Sequence, residues 1–264
     1  MVLGPKTYAG PDNGPMSSRS RDHSVEHMGN IERGHRVAIV TGASRGLGRA
    51  LALGLADEGW QLVIDGRDPD ALAEARGALP GSVVALVGDV ANPAHRAELM
   101  AAAADHGGLD LLVNNAGILG PSPLPPLAVY PLDALREVYE INVVAPLGLT
   151  QLALPALRAT GGAVALITSD AAAEPYPGWG GYGSAKAALE QIGRVLAAEE
   201  PTIRVWSVDP GDLRTRMHQE AFAGEDISDR PLPESVVPAF LRLLDERPAS
   251  GRVRLVELAA GVHA

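Results

Sequence analysis

The chain lacks cysteine altogether and has few aromatic residues, which make up 4% of its 264 residues. Without cysteine it forms no disulfide, offers no thiolate nucleophile and holds no thiolate-bound metal. The seven histidines show no paired ligand spacing, so we predict no metal site. Because aromatic residues are scarce, alanine, valine and leucine must fill the core of a chain that is 46% hydrophobic.

Long apolar runs and an excess of positive charge are also absent. No apolar run reaches the roughly 18 residues that a membrane-spanning helix needs, and the N-terminus has no secretory signal pattern. The formal net charge is −10, which argues against a basic surface for nucleic acid. We therefore expect a protein that binds neither nucleic acid nor membrane, and the lack of cysteine fits a cytoplasmic location.

Strand-like and helix-like stretches alternate after residue 34. Residues 1–34 are rich in Gly, Pro, Ser and charged residues without periodicity, which predicts a flexible tail before a single domain over 35–264. Short β-branched runs predict strands at 37–41, 61–65, 83–87, 109–114, 163–168, 203–208 and 252–257. Amphipathic patterns predict helices near 47–58, 69–78, 93–106, 131–158, 182–198 and 233–246. This order indicates the α/β class, with one Rossmann-type doubly wound domain whose seven-stranded, mostly parallel sheet carries helices on both faces.

A glycine-rich segment, "TGASRGLGRA" (41–50), follows the first predicted strand. Gly42, Gly46 and Gly48 would let the backbone turn tightly and approach a pyrophosphate at the start of the next helix. We assign cofactor contacts here to Gly42, Ser44, Arg45, Gly46, Leu47 and Gly48. Alone, such a segment is weak evidence, because ordinary strand–helix turns are also rich in glycine.

The end of the second strand, "QLVIDGRDPD", indicates which dinucleotide is bound. An acid there holds the ribose hydroxyls of NAD, whereas arginine accommodates the 2′-phosphate of NADP. The usual position of the acid falls on Gly66, Arg67 follows it, and Arg45 lies in the glycine-rich segment. These residues favour NADP(H), but Asp65 keeps NAD(H) open, and Arg67 with Asp68 could be a solvated pair.

Two further strand ends carry residues suited to the same cofactor. Asp89, followed by Val90, could accept a hydrogen bond from the adenine amino group, or could cap the next helix. In "NNAG" (114–117), the small residues allow close approach of the cofactor. We expect Asn114 to tie neighbouring strands together and assign cofactor contacts to Asn115, Ala116 and Gly117.

Tyr182 and Lys186 form the candidate acid/base pair. Only two of the 22 lysine and arginine residues are lysines, Lys6 and Lys186, so a lysine four residues after a tyrosine is unlikely to be accidental. On a helix the two share a face, and an ammonium about 4 Å away could lower the phenol pKa by up to roughly three units. We therefore predict a lowered pKa for Tyr182 and a role as general acid/base for a carbonyl–alcohol interconversion; a helix-surface pair is the alternative.

Ser169 and Asn142 complete the candidate catalytic set. Ser169, at the end of the fifth strand, is the second donor to the substrate oxygen. Asn142 stands four residues before Pro146, which cannot donate to its carbonyl. The freed carbonyl could hold a water near Lys186; alternatively, Pro146 breaks one helix into two.

Together these motifs resemble the short-chain dehydrogenase/reductase family, from about residue 36 to 217 and including "DPGDLRTRM" (209–217). The resemblance implies NAD(P)(H) and a catalytic set of Asn142, Ser169, Tyr182 and Lys186, in which Lys186 also holds the nicotinamide ribose. It further implies that Pro210, Gly211 and Thr215 flank the nicotinamide, and that the two long helices form a homodimer or homotetramer. The chain departs from the family in lacking a glycine-rich turn after the last strand, and in a short, acidic lid at about 212–233.

The sequence thus predicts an NADP(H)-preferring oxidoreductase that interconverts a carbonyl and an alcohol on a small organic substrate. An epimerase or dehydratase, or a non-catalytic NAD(P)-binding regulator, are the alternatives on the same fold. Tyr176 and Trp179 could line the substrate pocket or pack beneath a loop. We expect Asp170 to cap a turn and His218 to be a surface residue rather than a base.

Overall fold

The computed structural model of the protein describes residues 35–261, so the predicted tail at 1–34 lies outside the described residues. One seven-stranded sheet runs through the domain in the order β3-β2-β1-β4-β5-β6-β7. All of its pairings are parallel, which confirms the predicted doubly wound sheet. The strands are β1 (Val37–Val40), β2 (Gln61–Gly66), β3 (Val83–Val87), β4 (Leu111–Asn114), β5 (Ala163–Ile167), β6 (Arg204–Asp209) and β7 (Gly251–Arg254).

Helices cover both faces of this sheet. They are α1 (Gly46–Asp57), α2 (Pro69–Ala78), α3 (Pro93–Asp105), α4 (Leu132–Tyr139), α5 (Ala145–Thr160), α6 (Gly180–Glu199), α7 (Arg216–Ala221), α8 (Val237–Glu246) and α9 (Leu255–Ala259). Successive residues of a strand face opposite sides of the sheet, so Ala38 and Val40 pack with α1 and α8 while Val37 and Ile39 pack with α3, α5 and α6. This two-sided burial explains the uninterrupted apolar run of β1.

The last predicted strand is only half correct. Residues 252–257 were expected to be extended, but β7 ends at Arg254 and the chain continues as helix α9. Leu255 and Leu258 lie on one side of α9 and are buried against the core. A stretch this short is compatible with both the two-residue period of a strand and the 3.6-residue period of a helix. Packing of Leu255 and Leu258 against the core therefore selects the helix.

The predicted helix at 131–158 is continuous but irregular. A five-residue π-turn, Glu140–Val144, joins α4 to α5, and the N–H of Ala145 donates to the carbonyl of Glu140. The helical segment Leu132–Thr160 is long and apolar enough to cross a membrane, with a mean hydropathy of 1.2, but half of its most apolar window is buried inside the domain. Core helices of globular domains meet the same length and hydropathy test.

The functional edge of the sheet is set by the reversal of strand order at β1. Chain progression runs outward from β1 to β3 and then returns to β4 on the other side of β1. Because strands β1 and β4 are adjacent but lead to helices on opposite faces, a crevice opens beyond their carboxyl ends. Thr41 closes the base of this crevice: its hydroxyl accepts the N–H groups of Asn115 and Ala116, both at 3.0 Å.

We predict that Thr41→Val lowers the free energy of unfolding by about 1–3 kcal/mol, because it removes the acceptor of two partly buried N–H groups. The Thr41 side chain itself is only 2% exposed. Urea unfolding monitored by circular dichroism measures the change. Thr41→Ser keeps the oxygen and is expected to stay within about 1 kcal/mol of the wild type; equal losses in both variants would contradict this account.

Candidate active site

A cleft of about 1500 Å³ lies along the carboxyl edge of the sheet. The segments that follow β1, β2, β3, β4, β5 and β6 all contribute to its walls. The structure brings every predicted site residue to this cleft except Asn142, which lies behind it. One end carries the glycine-rich segment, and the other carries Ser169, Tyr182 and helix α7.

The glycine-rich segment forms a tight cradle at the start of α1. Gly42 and Gly46 have φ angles of +65° and +54°, a region that favours glycine. A Cβ on Gly48 would overlap the Asn115 amide and the Gly42 carbonyl. The Asn115 amide is therefore occupied in holding the segment against β4, where it donates to the Thr41 carbonyl at 2.8 Å.

Helix α1 presents an uncapped N-terminus to this cradle. Its N-cap, Arg45, makes no side-chain capping hydrogen bond, and its first turn has no acidic residue. In contrast, α2, α3 and α7 are capped by Asp68, Asn92 and Thr215. Free N–H groups and the positive end of the helix dipole suit a pyrophosphate, so the residues present fit a dinucleotide.

Asp65 does not face this end of the cleft as a free acid. It is 1% exposed, and its carboxylate accepts from the N–H of Gly42 at 2.6 Å and pairs with Nε2 of His95 at 3.0 Å. Both oxygens are therefore engaged inside the protein. Arg45 and Arg67 do line the cleft, where Arg45 pairs with Asp68 at 2.9 Å and Arg67 lies 4.0 Å from Asp89.

Asp89 and Asn114 do not make the structural contacts suggested for them, while a contact of Asp89 with the adenine stays a prediction. Asp89 accepts from the N–H of Ala91 at 2.9 Å, while helix α3 is capped by Asn92. Asn114 does not tie strands together, because its amide donates to the hydroxyl of Thr150 on α5 at 3.2 Å. It therefore fastens β4 to a covering helix.

Tyr182 and Lys186 lie on the same buried face of α6, with exposed fractions of 8% and 4%. The ammonium of Lys186 donates to the carbonyl of Ile167, at the end of β5, at 2.8 Å. Its Nζ lies 5.5 Å from the centre of the Tyr182 ring. The pair thus joins α6 to the end of β5, beside the cleft.

The predicted lowering of the Tyr182 pKa is wrong for the protein alone. Burial raises this pKa, and the carboxylates of Asp170 and Asp209 raise it further. Burial also lowers the pKa of Lys186, to about 8. Desolvation opposes the charged form of both groups, so Tyr182 is a neutral phenol at pH 7.

Asn142 occupies the π-turn and is fully buried. Its amide makes two hydrogen bonds with Ile118, accepting from the N–H at 2.9 Å and donating to the carbonyl at 2.8 Å. Gly117 lies between Asn142 and Lys186, since a Cβ there would stand 3.0 Å from Oδ1 of Asn142 and 3.7 Å from Nζ of Lys186. Pro146 neither ends nor splits the helix; the bound water near Lys186 stays a prediction.

Comparison with known proteins identifies this arrangement. A family model described as short chain dehydrogenase matches residues 36–226. The chain belongs to the short-chain dehydrogenase family. Short-chain dehydrogenases bind NAD(P), and this protein is accordingly an oxidoreductase that acts on CH–OH groups.

Individual relatives agree with this assignment. The chain is 34% identical over 185 residues to an uncharacterised oxidoreductase of Saccharomyces cerevisiae, covering 69% of this chain and 72% of that protein. It is 35% identical over 204 residues to the sepiapterin reductase of Rattus norvegicus, covering 71% and 78%. A short chain dehydrogenase from Shigella flexneri, solved in complex with NADP, superimposes with a TM-score of 0.76 at 28% identity, covering 83% of this chain and 95% of that one.

Asp170 does more than cap a turn in this short-chain dehydrogenase. Its carboxylate accepts from the N–H of Ala171 at 2.8 Å, from the Ser169 hydroxyl at 2.9 Å and from the Tyr176 hydroxyl at 2.9 Å. It therefore orients Ser169 and holds the loop that carries Tyr176. The expected cap is present, but it accounts for one of three contacts.

The other end of the cleft is walled by aromatic side chains. Trp179 makes edge contacts with Tyr176 and Tyr182 at ring-centre distances of 6.4 and 5.9 Å, and a tilted contact with Phe222 at 6.0 Å. Both Tyr176 and Trp179 line the cleft, while Trp179, like Met217 and Ala221 of the lid, also packs against a buried cluster that contains Tyr182. Both interpretations of Tyr176 and Trp179 are therefore correct: they line the pocket, and they pack against neighbouring side chains.

The lid itself contains a short helix that the sequence analysis did not predict. Helix α7 starts at Arg216 and brings Met217, His218 and Phe222 to the cleft. The expectation that His218 lies on the surface is wrong, because its side chain is only 10% exposed and its ring stacks on Phe222 at 4.7 Å. Thr215 caps α7, and Pro210 and Gly211 line the cleft beside it.

Arg252 is a supporting residue that sequence reasoning missed. Its guanidinium donates to the carbonyl of Ser169 at 3.2 Å and to the carboxylate of Asp209 at 2.9 Å, and it lies 3.4 Å from Glu190. It thereby fixes the ends of β5 and β6 to β7. No local motif marks it, because its partners come from distant parts of the chain.

Among residues 35–261 no group of three or more metal-ligating side chains is found.

We predict that Lys186→Met raises the free energy of unfolding at pH 7 by about 2 kcal/mol while abolishing turnover. A pKa of about 8 in the folded protein, against an ordinary 10.5, means that folding carries the cost of a buried charge below pH 8. The gain is expected to disappear as pH rises from 8 to 10.5, where the unfolded lysine also becomes neutral. Thermal and urea unfolding across this range test it. Lys186→Arg retains the charge and serves as the control; stabilisation in that variant would contradict the explanation.

Proposed function

We propose that the protein is an NADP(H)-preferring oxidoreductase that interconverts a carbonyl and an alcohol on a small organic substrate, with the proton supplied by Tyr182. The observation that carries this proposal is the convergence of two features on one cleft. The buried Tyr182–Lys186 pair opens at one end, and the uncapped start of α1 with its glycine cradle opens at the other.

The residues divide the chemical work as follows. When bound, the nicotinamide exchanges hydride with the substrate carbon. Tyr182, protonated because of its raised pKa, donates its proton to the substrate oxygen during reduction. In alcohol oxidation the step runs in reverse, and the deprotonated form of Tyr182 takes the proton of the alcohol. Lys186 stabilises the negative charge that Tyr182 acquires, since an ammonium held in a desolvated site interacts strongly with a nearby anion.

Ser169 is the second donor to the substrate oxygen. Its single hydroxyl proton is directed to Asp170, so a substrate carbonyl must compete with that carboxylate for it. Asp170 thus holds the hydroxyl ready at the cleft. Asn142 acts through the backbone of Ile118, which it keeps in place beneath the nicotinamide end.

Preference for NADP(H) is supported by the charged residues at the adenosine end. Arg45 and Arg67 are 44% and 61% exposed and can turn toward a 2′-phosphate. Asp65 is the residue that made NAD(H) an alternative cofactor, and its carboxylate is hydrogen-bonded to Gly42 and His95. The NADP complex of the Shigella flexneri relative is consistent with this choice.

The aromatic wall supports a substrate with a flat apolar group next to its carbonyl. Trp179, Tyr176 and Phe222 supply that wall in a chain with only ten aromatic residues. We predict that Trp179→Ala lowers kcat/KM for an aryl ketone by about tenfold, because stacking and apolar burial are lost. A small aliphatic ketone, assayed in parallel, should change less than about threefold. Sepiapterin joins the panel because the rat relative is a sepiapterin reductase; equal losses for all substrates would contradict a contact with the substrate.

We predict that Tyr182→Phe lowers kcat by about a hundredfold or more, because the proton donor is lost, while NADPH affinity stays within about threefold. NADPH oxidation against the carbonyl panel and fluorescence titration of NADPH measure the two effects separately. Tyr139→Phe, which removes the hydroxyl of a tyrosine that does not line the cleft, is the matched control. Unimpaired turnover in Tyr182→Phe would refute the assignment.

The same assays separate this function from its alternatives. An epimerase or dehydratase would convert substrate without net NADPH consumption. A non-catalytic regulator would bind NADPH but consume none with any carbonyl. Either outcome would replace the proposed reaction without changing the cofactor site.

Assembly and location remain proposals. The two long helical segments expose Val144, Leu152 and Val195, and burial of these side chains would favour a homodimer or homotetramer. Sedimentation equilibrium of the full chain measures the assembly. We place the protein in the cytoplasm, in keeping with a chain that has no cysteine.

A further inference from the structure

A buried ion pair lies beneath the adenosine end of the cleft and has no part in the reaction described above. Nε2 of His95, on helix α3, lies 3.0 Å from Oδ2 of Asp65, at the end of β2. Both side chains are almost fully buried, with exposed fractions of 3% and 1%. A buried charged pair is costly to form and is weak evidence for stability, so a role in binding has to be considered.

Only backbone separates His95 from the cleft. A Cβ on Gly88 would overlap the imidazole ring, which means that the Gly88 backbone lies directly on the ring. Gly88 lines the cleft and donates its N–H to the carbonyl of Gly66 at 3.1 Å. The charge of His95 therefore contributes to the electrostatic potential at the surface that would bind the adenosine ribose.

A protonated His95 offsets the net negative charge of the side chains that line this end of the cleft. The cleft is lined here by two arginines and three aspartates, Arg45, Arg67, Asp65, Asp68 and Asp89, which leave one net negative charge. A protonated His95 cancels it. The other carboxylate near the ring is Glu98 on the same helix, 3.8 Å from Nδ1 and 65% exposed. The hydrogen bond that His95 donates to Asp65 raises the pKa of His95.

We propose that His95 is a positioning residue that sets the preference for NADP(H) over NAD(H). Its hydrogen bond keeps Asp65 turned into the protein, and its charge neutralises the carboxylate beneath the site of the 2′-phosphate. Without it, Asp65 repels the phosphate and is free to reach the ribose hydroxyls, as acids at this strand end do in NAD-binding proteins. The inference rests on the proposed cofactor preference.

The decisive experiment compares two adenosine probes that differ by one phosphate. Calorimetry measures the affinities of 2′,5′-ADP and 5′-AMP for the wild type and for His95→Gln, which keeps a donor near Asp65 but removes the charge. We expect the ratio of the two affinities to fall by about tenfold in His95→Gln, because one uncompensated charge faces the phosphate. A ratio within about twofold of the wild-type value would overturn the proposal.

Rescue and control variants guard against a merely structural effect. The double variant Asp65→Asn with His95→Gln removes both charges and is expected to restore the wild-type ratio; failure to restore it would count against the charge argument. His106→Gln, at the end of the same helix and outside the cleft, should leave the ratio unchanged. If His95→Gln does not fold, Asp65→Asn alone tests the proposal. The ratio of its affinities for 2′,5′-ADP and 5′-AMP is then measured against pH and compared with the wild type.

The pH profile supplies an independent readout. In the wild type the ratio should fall as pH rises through the raised pKa of His95, because His95 loses its charge while the 2′-phosphate, with a pKa of about 6, stays dianionic. Lys186 also titrates, near pH 8, but it lies at the other end of the cleft and is expected to affect both probes alike. Asp65→Asn and His95→Gln should both give flat profiles; a wild-type profile as flat as theirs would overturn the proposal.

The outcomes also separate this inference from the proposed function. If the wild type binds both probes equally, the cofactor preference itself is wrong, and the role of His95 falls with it. If the wild type prefers 2′,5′-ADP but the variants share that preference, only the role of His95 is wrong. Neither result depends on finding a substrate, since the probes report binding rather than turnover.

Discussion

The reversal of strand order at β1 is the constraint on which the site depends. Because β1 pairs with β2 on one side and β4 on the other, the segments that follow β1 and β4 must diverge, and a crevice opens between them. The Thr41 hydroxyl and the Asn115 amide hold these two segments together at the base of the crevice. Close approach of backbone then requires glycine at position 48, where any side chain would overlap the Asn115 amide. The cradle for a pyrophosphate is thus a consequence of how two strands are joined.

Buried charges are concentrated along this same edge of the sheet. Lys186 is held by a carbonyl of β5, Asp65 by the first turn and by His95, and Asp209 by Arg252. Each removes a charged group from water and therefore opposes folding unless it is well paired. Lys186 has no carboxylate hydrogen-bonded to it among residues 35–261, only a carbonyl, and its lowered pKa reflects that cost. Lys186 therefore opposes folding, whereas the paired groups hold backbone segments together at this edge of the sheet.

Local patterns predict most of the fold because the signals that set it are local. Helix α2 spans Pro69–Ala78, matching the predicted 69–78, since Asp68 and Pro69 mark its start unambiguously. The glycine-rich segment and the Tyr182–Lys186 spacing likewise place both ends of the site. The sequence could not predict features that depend on side-chain orientation or on a distant partner. These are the orientation of the Asp65 carboxylate into the protein, the supporting role of Arg252 and the burial of His218. The prediction of a lowered Tyr182 pKa is wrong for the same reason. Burial and the carboxylates of Asp170 and Asp209 raise this pKa, and the spacing to Lys186 does not reveal them.

The rarity of lysine now has a structural explanation at position 186. Arginine replaces lysine almost everywhere in this chain, and on an exposed surface the exchange preserves charge. At 186 the side chain is 4% exposed, and its ammonium fits between the Ile167 carbonyl and the backbone of Gly117, whose own Cβ would stand only 3.7 Å away. A planar guanidinium is larger, spreads its donors over a rigid fork and does not lose its proton near neutral pH. Lysine supplies a compact charge, and although burial lowers its pKa to about 8 and thereby destabilises the fold, the group still keeps most of its charge at pH 7 beside the neutral phenol of Tyr182.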